Sequence, residues 1–464
     1  MSVDTKMWGK ETFWGLGFEY DPQWLFTPEQ KRIQSDLIEA ACTSMRANAI
    51  ESDKQYLFPR KNFETLAKLG LLGLFVPKEL GGLGQNHTAA VMVVETIARY
   101  ACPSTAMCLT MHYGAVASLL LRHHHNDFIK DILCRLDKET LVGTLSYSDP
   151  ETGGHFWYPI SSGAEKVDGG WKVRKKAAWT TSAGFADWYV IQTTSPDFNG
   201  DYANLSCFVV TDKEVIARPG GWDGMGLRGN QSGTLEVDNI TIAQDRLVGP
   251  VGDGARSNDE TVDPFFLALS SACWNGISLG MIDMAKAHVT KKKHADVGMR
   301  VCDYPTIQDY FGEAIMDTST SRSLDYFMAQ TLDKLTNNCD WSIHDDIQTL
   351  PRSTVLHWLW MVKFSAAKNV ANVSDKMLHA CGGSAFKEGL GMARLLRDAK
   401  AGWVMGPSNE ILRQFVGKSS LLGFDSLDYW NKSINTRALN NETKKMSKEE
   451  KIQFAEQLLS EARA

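Results

Sequence analysis

Several things are scarce in this chain of 464 residues. Its 14 Pro are too few for a Pro-rich or low-complexity protein. No CxxC spacing occurs, and the nine Cys stand singly at 42, 102, 108, 134, 207, 273, 302, 339 and 381. An odd, scattered set indicates neither a disulfide framework nor a zinc ribbon and fits a reducing compartment. No apolar run reaches the roughly 18–20 residues that a spanning helix needs. The opening stretch MSVDTKMWGKETFW has no continuous apolar segment and no Arg richness, so neither a signal nor a transit peptide is expected. A basic excess is missing too: 49 Lys+Arg face 55 Asp+Glu, a net charge of -6. That balance argues against a general nucleic-acid binder. The expectation is a soluble, cytoplasmic protein that handles a small molecule, with no nucleic acid, membrane or metal.

What is present is a packed chain. Hydrophobic residues make up 43% and charged residues 22%, well outside the disordered range. The length predicts two to four domains at roughly 100–200 residues each. Residues 1–27 form an aromatic extension with Trp8, Phe13, Trp14, Phe18, Tyr20, Trp24 and Phe26, rings expected to pack on a domain or a neighbouring subunit. Residues 28–140 read as a helical domain, opened by Thr27 as N-cap with Pro28 at the first position. From 141 to 253 the apolar period changes from 3.6 to 2, with Gly, Asp and Asn turns, predicting an antiparallel β domain as a small barrel or sandwich. From 254 to 430 the helical period returns in long segments, as in an antiparallel four-helix bundle. The polar stretch 337–352 reads as a loop, and 431–464 as a charged helical tail. The fold class is therefore α+β, with helical, β and helical layers in that order.

Seven blocks, in order along this layout, resemble the acyl-CoA dehydrogenase superfamily. They are VPKELGGLG (76–84), LSYSDPETGG (145–154), KAAWTTSAGFAD (176–187), GLRGNQS (226–232), CGGSAF (381–386), LRDAK (396–400) and SNEILR (408–413). They are similar to the family's P-x-x-x-G-G-x-G loop, T-E-P-x-A-G-S flavin strand, K-x-W-I-T-N-A-x-x-A-D, G-x-R-x-S, G-G-x-G, R-D-A-K and T-N-E-I-x-R. The resemblance covers about residues 28–425. It implies a homo-oligomeric FAD flavoprotein, a tetramer or dimer, that oxidises the Cα–Cβ bond of an acyl thioester. A carboxylate would remove the α-proton while the flavin takes the β-hydride.

By matched position, Tyr147, Ser148 and Gly153 would lie on the flavin strand. Trp179, Thr180 and Thr181 would form an aromatic wall with hydroxyls beside the ring. The plain alternative for Trp179 is a barrel-core residue, since strands favour aromatic and β-branched side chains anyway. Gly382 and Gly383 would let backbone approach the pyrophosphate, or simply cap a helix. His379 stands where the family often has Gln. Ser408 and Glu410 open a helix that meets FAD in the family, although a capped helix start explains them equally. Arg413 matches an Arg near the pocket mouth.

The departures concern the base. The family's catalytic Glu falls on Gly406 in Val404-Met-Gly-Pro-Ser. Some relatives carry the carboxylate on an earlier bundle helix, and that site falls on Phe266, with Leu267 where an Arg is usual. Asp263 lies one helical turn earlier, with Glu260 beyond it, and a shifted alignment makes Asp263 the base. His112 lies on the helix that lines the acyl pocket in the family. It is either an acid–base group or a helix His satisfied by a backbone carbonyl. Relatives that lack the Glu include monooxygenases working through a flavin C4a-hydroperoxide, so oxygenation is the first alternative to dehydrogenation of a CoA or carrier-protein thioester. A non-catalytic FAD-binding subunit is the second. The family's basic contact to a neighbouring FAD finds no clear match at Lys291, and His123, His124 and His125 read as a solvated turn.

Overall fold

A computed structural model describes residues 22–153, 159–198, 200, 204–218, 220–423, 439 and 442–463. The rings Trp8 to Tyr20, Gly154 and most of the stretch 424–441 lie outside the described residues. Residues 1–409 form one compact unit and residues 410–464 a second.

The first unit begins with α1 (Pro28–Ala40). Thr27 and Gln30 close a reciprocal capping box, and Pro28 fills the first turn, where its missing N–H is harmless. A π turn at Ala41–Met45 leads into α2 (Arg46–Gln55), followed by α3 (Arg60–Lys68). The next two helices, α4 (His87–Tyr100) and α5 (Pro103–Leu120), are core helices: every position of α5 except Met111 is buried. Then α6 (Asp127–Glu139) is amphipathic, burying Ile129, Ile132, Leu133 and Leu136 from one face.

Strands follow: β1 (Gly143–Ser146), β2 (Gly163–Val167), β3 (Gly170–Thr180), β4 (Trp188–Thr194), β5 (Leu205–Thr211), β6 (Ile216–Ala217), β7 (Gly233–Ala243) and β8 (Leu247–Val248). They form one sheet in the order β6-β7-β3-β2-β4-β5-β8, with β1 beside β4. Most pairs are antiparallel, as the alternation predicts. The exceptions are β1 against β4, which run parallel from Gly143–Trp188 to Ser146–Ile191, and a single parallel pairing of β2 with β4. Trp171, Val173, Tyr189, Ile191, Phe208, Val210, Leu235 and Val237 make the sheet's core.

The third layer is built on α7 (Asp263–Val289), which packs against α4, α5, α8 (Pro305–Leu335), α9 (Leu356–Cys381) and α10 (Met392–Val404). By length and composition the segment Gly254–Val289 could cross a membrane, but its most apolar window is 94% buried inside the protein. It is a core helix, with neighbours on every side supplying its apolar environment. A π turn, Asn258–Val262, leads into it. The 337–352 stretch, expected as a loop, carries a 3₁₀ turn at Trp341–Asp345 and ends in another at Arg352–Val355, and Trp341, His344 and Arg352 are buried. All nine Cys are free thiols.

The helix α11 (Asn409–Leu422) leads into the second unit, which also holds α12 (Lys448–Glu461), capped by a Ser447–Glu450 capping box and without a buried residue.

Candidate functional site

The flavin-type residues of the sheet do come together. Strand β3 alternates buried and exposed positions, and the register with β7 shifts between Ala177 and Thr180. That irregularity turns Trp179 outward, 65% exposed, with its ring edge-on to Trp222 at 5.4 Å. Ser148 Oγ donates to Trp179 O (2.8 Å) and accepts from Trp179 N (3.3 Å), so the wall is anchored by its own backbone. Behind it, Thr180 Oγ1 meets Ser146 Oγ at 2.8 Å and Thr181 Oγ1 meets Ser232 Oγ at 3.2 Å. An exposed Trp backed by satisfied hydroxyls is a flat apolar platform, which suits a planar aromatic ring. Trp179 is thus no barrel-core residue.

Tyr147 differs from its neighbour. It is buried, its hydroxyl sits 3.3 Å from Cys207 Sγ, and burial holds its phenol protonated. Its carbonyl accepts from Lys175 Nζ at 3.3 Å. Lys175 is fully buried, and that desolvation pushes its pKa down to about 8. Nearby, Asp149 gathers the N–H groups of Glu151 and Ser161, and Gly153 N–H donates to Asp149 O with Gly153 at φ +64°. Tyr147 and Gly153 therefore shape the platform's edge through backbone, not side chain.

Two of the sequence blocks join the sheet to the helices. Asp398 is buried, accepts from Leu227 N–H (2.7 Å), and burial raises its pKa to about 6. Arg397 holds Asp53 through both nitrogens (2.9 and 2.6 Å) and donates to Met225 O. A Cβ on Gly226 would collide with Arg397 O, so only glycine permits this approach.

The acyl-side residues divide. His112 is fully buried with both nitrogens engaged: Gly143 N–H donates to Nδ1 (2.9 Å), and Nε2–H donates to Leu72 O (3.0 Å). Burial lowers its pKa to about 4, so the ring stays neutral. This corrects the acid–base expectation: a ring whose two nitrogens are both bonded to backbone has none left for a substrate. Beside it, Tyr113 OH donates to Leu71 O at 2.6 Å, and the pair ties α5 to the turn after α3.

Gly406 is exposed in the turn between α10 and α11. That turn is held from within by Lys363, a fully buried residue of α9. Its ammonium donates to Gly402 O, Met405 O, Pro407 O and Asn409 Oδ1 at 3.0–3.1 Å. No acid stands in this turn.

The start of α7 is different. Asp259, Asp263 and Phe266 recur at helical spacing and so share a face. Asp259 and Phe266 are partly exposed, and Asp263 is 4% exposed. Among the described residues no hydrogen bond or ion pair reaches either carboxyl. Burial, then the neighbouring Asp259 charge, pushes Asp263 well above the usual carboxylate range. Burial, then Glu260, raises Asp259 to about 6.

Among the described residues, His379, Gly382, Gly383 and Ser408 make no hydrogen bond or ring contact with Trp179. His379 is exposed in the last turn of α9, its ring 6.3 Å from that of Tyr310. Gly382 follows with φ +56° and ψ -144°, a conformation open to glycine alone, and neither Gly382 nor Gly383 has an atom within 4 Å of an added Cβ. Ser408 precedes α11 and is partly exposed. Glu410 and Arg413 make a surface ion pair at 3.7 Å. In the His123–His125 turn, His123 is buried and donates to Leu120 O, and His124 pairs with Asp345, so the turn is not wholly solvated. No metal-holding cluster occurs among the described residues.

Sequence reasoning missed Asp259, Lys363 and Trp222. Asp259 stands four residues before Asp263, and Lys363 is a lone cation in the apolar run Trp360-Met-Val-Lys-Phe. Both signals were present.

Residues 27–136 match the acyl-CoA dehydrogenase N-terminal domain, and residues 271–421 match the acyl-CoA dehydrogenase C-terminal domain. The chain belongs to the acyl-CoA dehydrogenase family. It is 23% identical to a mitochondrial isovaleryl-CoA dehydrogenase of Solanum tuberosum over 397 residues, 85% of this chain and 91% of that protein. Among solved structures, a glutaryl-coenzyme A dehydrogenase in complex with glutaryl-CoA superimposes with TM-score 0.76 at 20% identity, covering 86% of this chain and 96% of the other. The FAD complex of PigA superimposes with TM-score 0.72 at 15% identity, covering 85% and 98%. At these identities the superpositions establish the shared three-layer fold.

Proposed function

We propose that the protein is an FAD-dependent oxidoreductase acting on an acyl thioester, with the Asp259/Asp263 pair supplying the proton-transfer group that Gly406 lacks. When bound, FAD would supply the hydride acceptor. The outward Trp179 ring, stiffened by Ser148, would form one wall for it, with Gly382 and Gly383 leaving room for a phosphate-bearing chain. Related structures support the same reading: one is an FAD complex of PigA, and another is a glutaryl-CoA complex of glutaryl-coenzyme A dehydrogenase.

The observation that carries this reading is Asp263, an almost fully buried carboxyl without a partner. Such a group is costly, and strongly perturbed carboxyls concentrate at functional sites. Two acids on one helical face titrate as a pair. Burial pushes both carboxyls up, Asp259 to about 6, which brings them toward the range in which a carboxylate takes a proton near neutral pH. That is what removal of an α-proton from a thioester requires. Met316 and Phe327 on α8 and Trp358 on α9 are exposed large side chains, which supports a homo-oligomer.

Anaerobic mixing of the FAD-loaded protein with a series of acyl-CoAs tests the reading. Bleaching of the flavin by one chain-length class is the expected result. If no thioester bleaches it, while the chemically reduced protein consumes oxygen and oxygenates a substrate, the monooxygenase alternative takes its place. A preparation that takes up no FAD overturns both.

A further inference from the structure

The polar stretch between α8 and α9 has no counterpart in the function proposed above, yet it contributes a fully buried arginine. Every nitrogen of Arg352 has a partner. Nε donates to His87 Nε2 (2.9 Å), Nη1 to Glu260 Oε1 and His344 Nε2 (both 2.9 Å), and Nη2 to Cys339 Sγ (3.6 Å). Because the guanidinium only donates, the two imidazoles accept at Nε2 and carry their protons on Nδ1. Those protons go to Asp333 Oδ1 and Thr349 O, each at 2.8 Å. Asp333 also accepts from the backbone of His87 and Thr88 at the start of α4. Trp341 lies against the guanidinium, with Cζ 4.6 Å from the ring centre.

Only one member of this cluster belongs to the π turn before α7: Glu260. Its two oxygens take Arg352 Nη1 and Ser353 N–H (2.9 and 3.1 Å). Its neighbours in the turn are tied elsewhere, Asn258 to Gln192 and Thr261 to Ser118. Three side chains of a five-residue turn are thus fixed to three separate elements: β4, α5 and the 337–352 stretch. Between them the turn presents Asp259, with Asp263 directly after it. A π turn inserts one residue per helical turn, which rotates the face of the helix that follows.

We propose that Arg352 is a positioning residue: by holding Glu260 it fixes the rotation of the π turn and so aims Asp259 and Asp263 at the reacting group. This rests on the pair's proton-transfer role. The test uses the FAD-loaded, full-length protein and two variants, Arg352→Lys, which keeps the charge but loses the fork, and Glu260→Gln, which keeps the shape but weakens the tie. Isotope-edited infrared difference spectra of labelled Asp follow the pair's titration without turnover, the bands being assigned by their loss in Asp259→Asn and Asp263→Asn. In whichever variant folds, the account expects the pair's titration to move by about one pH unit. It also expects kcat for flavin reduction to fall about 10–100-fold with little change in KM, and the pH profile to move with the titration. A folded variant whose titration and pH profile both match the parent overturns the proposal. The infrared titration stands even if Asp263→Asn leaves flavin reduction unchanged, so failure of the base assignment and failure of the positioning role are separately visible.

Discussion

Two turns of this protein, the Gly406 turn and the π turn before α7, are held by buried cations in opposite ways. In the Gly406 turn, Lys363 binds three backbone carbonyls and an amide oxygen, so the cation substitutes for water around a chain reversal that has no acid. In the turn before α7, Arg352 binds a side chain, Glu260, and leaves two adjacent carboxyls without partners. A compact ammonium suits carbonyls converging from several directions, whereas a planar fork suits a carboxylate. The first arrangement fixes only a backbone path. The second, on the proposal above, fixes a direction for Asp259 and Asp263. The comparison teaches that a turn without an acid and a turn beside two unpartnered carboxyls are built on different cations, each suited to what it binds.

The comparison can be broken at several points. Arg352→Met leaves Glu260 buried without its counter-charge and should cost about 3–5 kcal/mol by denaturant unfolding. The double change Arg352→Met, Glu260→Gln should recover much of that loss, and no recovery would mean that the ion pair is not what Arg352 contributes. Lys363→Met strands the carbonyls of the Gly406 turn and should cost about 2–4 kcal/mol, counting about 1–3 kcal/mol for each buried group left unpaired and allowing for relaxation. Unlike a change at Arg352, it should leave the pH profile of flavin reduction in place. A shifted profile would show that the two turns are not independent.

A smaller effect distinguishes structural from catalytic histidine. His112→Leu leaves Leu72 O and Gly143 N–H unpaired and should cost about 1–3 kcal/mol in stability while the rate of flavin reduction changes less than about threefold. A rate loss of about 100-fold with stability unchanged would restore the acid–base role to His112. The smallest effect is the pH dependence of stability. Asp263 and Asp259 have folded pKa values above the roughly 3.9 of an unfolded Asp, so the folded state retains protons that the unfolded state gives up. Stability contributed by their neutral forms is present below about pH 4 and falls as pH rises through the folded values. Asp263→Asn removes the share of that slope that Asp263 contributes. Its melting temperature should exceed the parent's by a few °C at pH 7–8, and the difference should vanish near pH 4.

Much of the fold was legible because local signals agreed with it. Thr27 caps α1 with Pro28 in its first turn, as the sequence announces, and α8 ends where the helical periodicity ends, at Leu335. Strand β2 (Gly163–Val167) was not legible, since Gly-Ala-Glu-Lys-Val carries no period-2 pattern, and the parallel pairing of β1 with β4 depends on contacts remote in sequence. At the site, Trp179 was legible from its block, but its exposure depends on a register shift that no residue type encodes. His112 stays open between chemistry and structure in the sequence because its partners, Leu72 O and Gly143 N–H, are backbone groups and leave no mark on side-chain patterns. The stretch around Arg352 reads as a loop, and the burial of its Arg was not legible for the converse reason. Its composition is polar, yet Arg352 and His344 are buried, with partners such as His87 and Glu260 that composition alone does not show.

The central claim is that the Asp259/Asp263 pair takes the substrate proton. Anaerobic stopped-flow reduction of the FAD-loaded protein by a reactive acyl-CoA tests it most directly, comparing the parent with Asp263→Asn and with the double Asp259→Asn, Asp263→Asn. The account predicts that flavin affinity stays within about threefold and that the reduction rate falls by at least about 10²-fold in the single variant and further in the double, the range general acid–base groups supply. Reduction at the parent's rate in the double variant would contradict it.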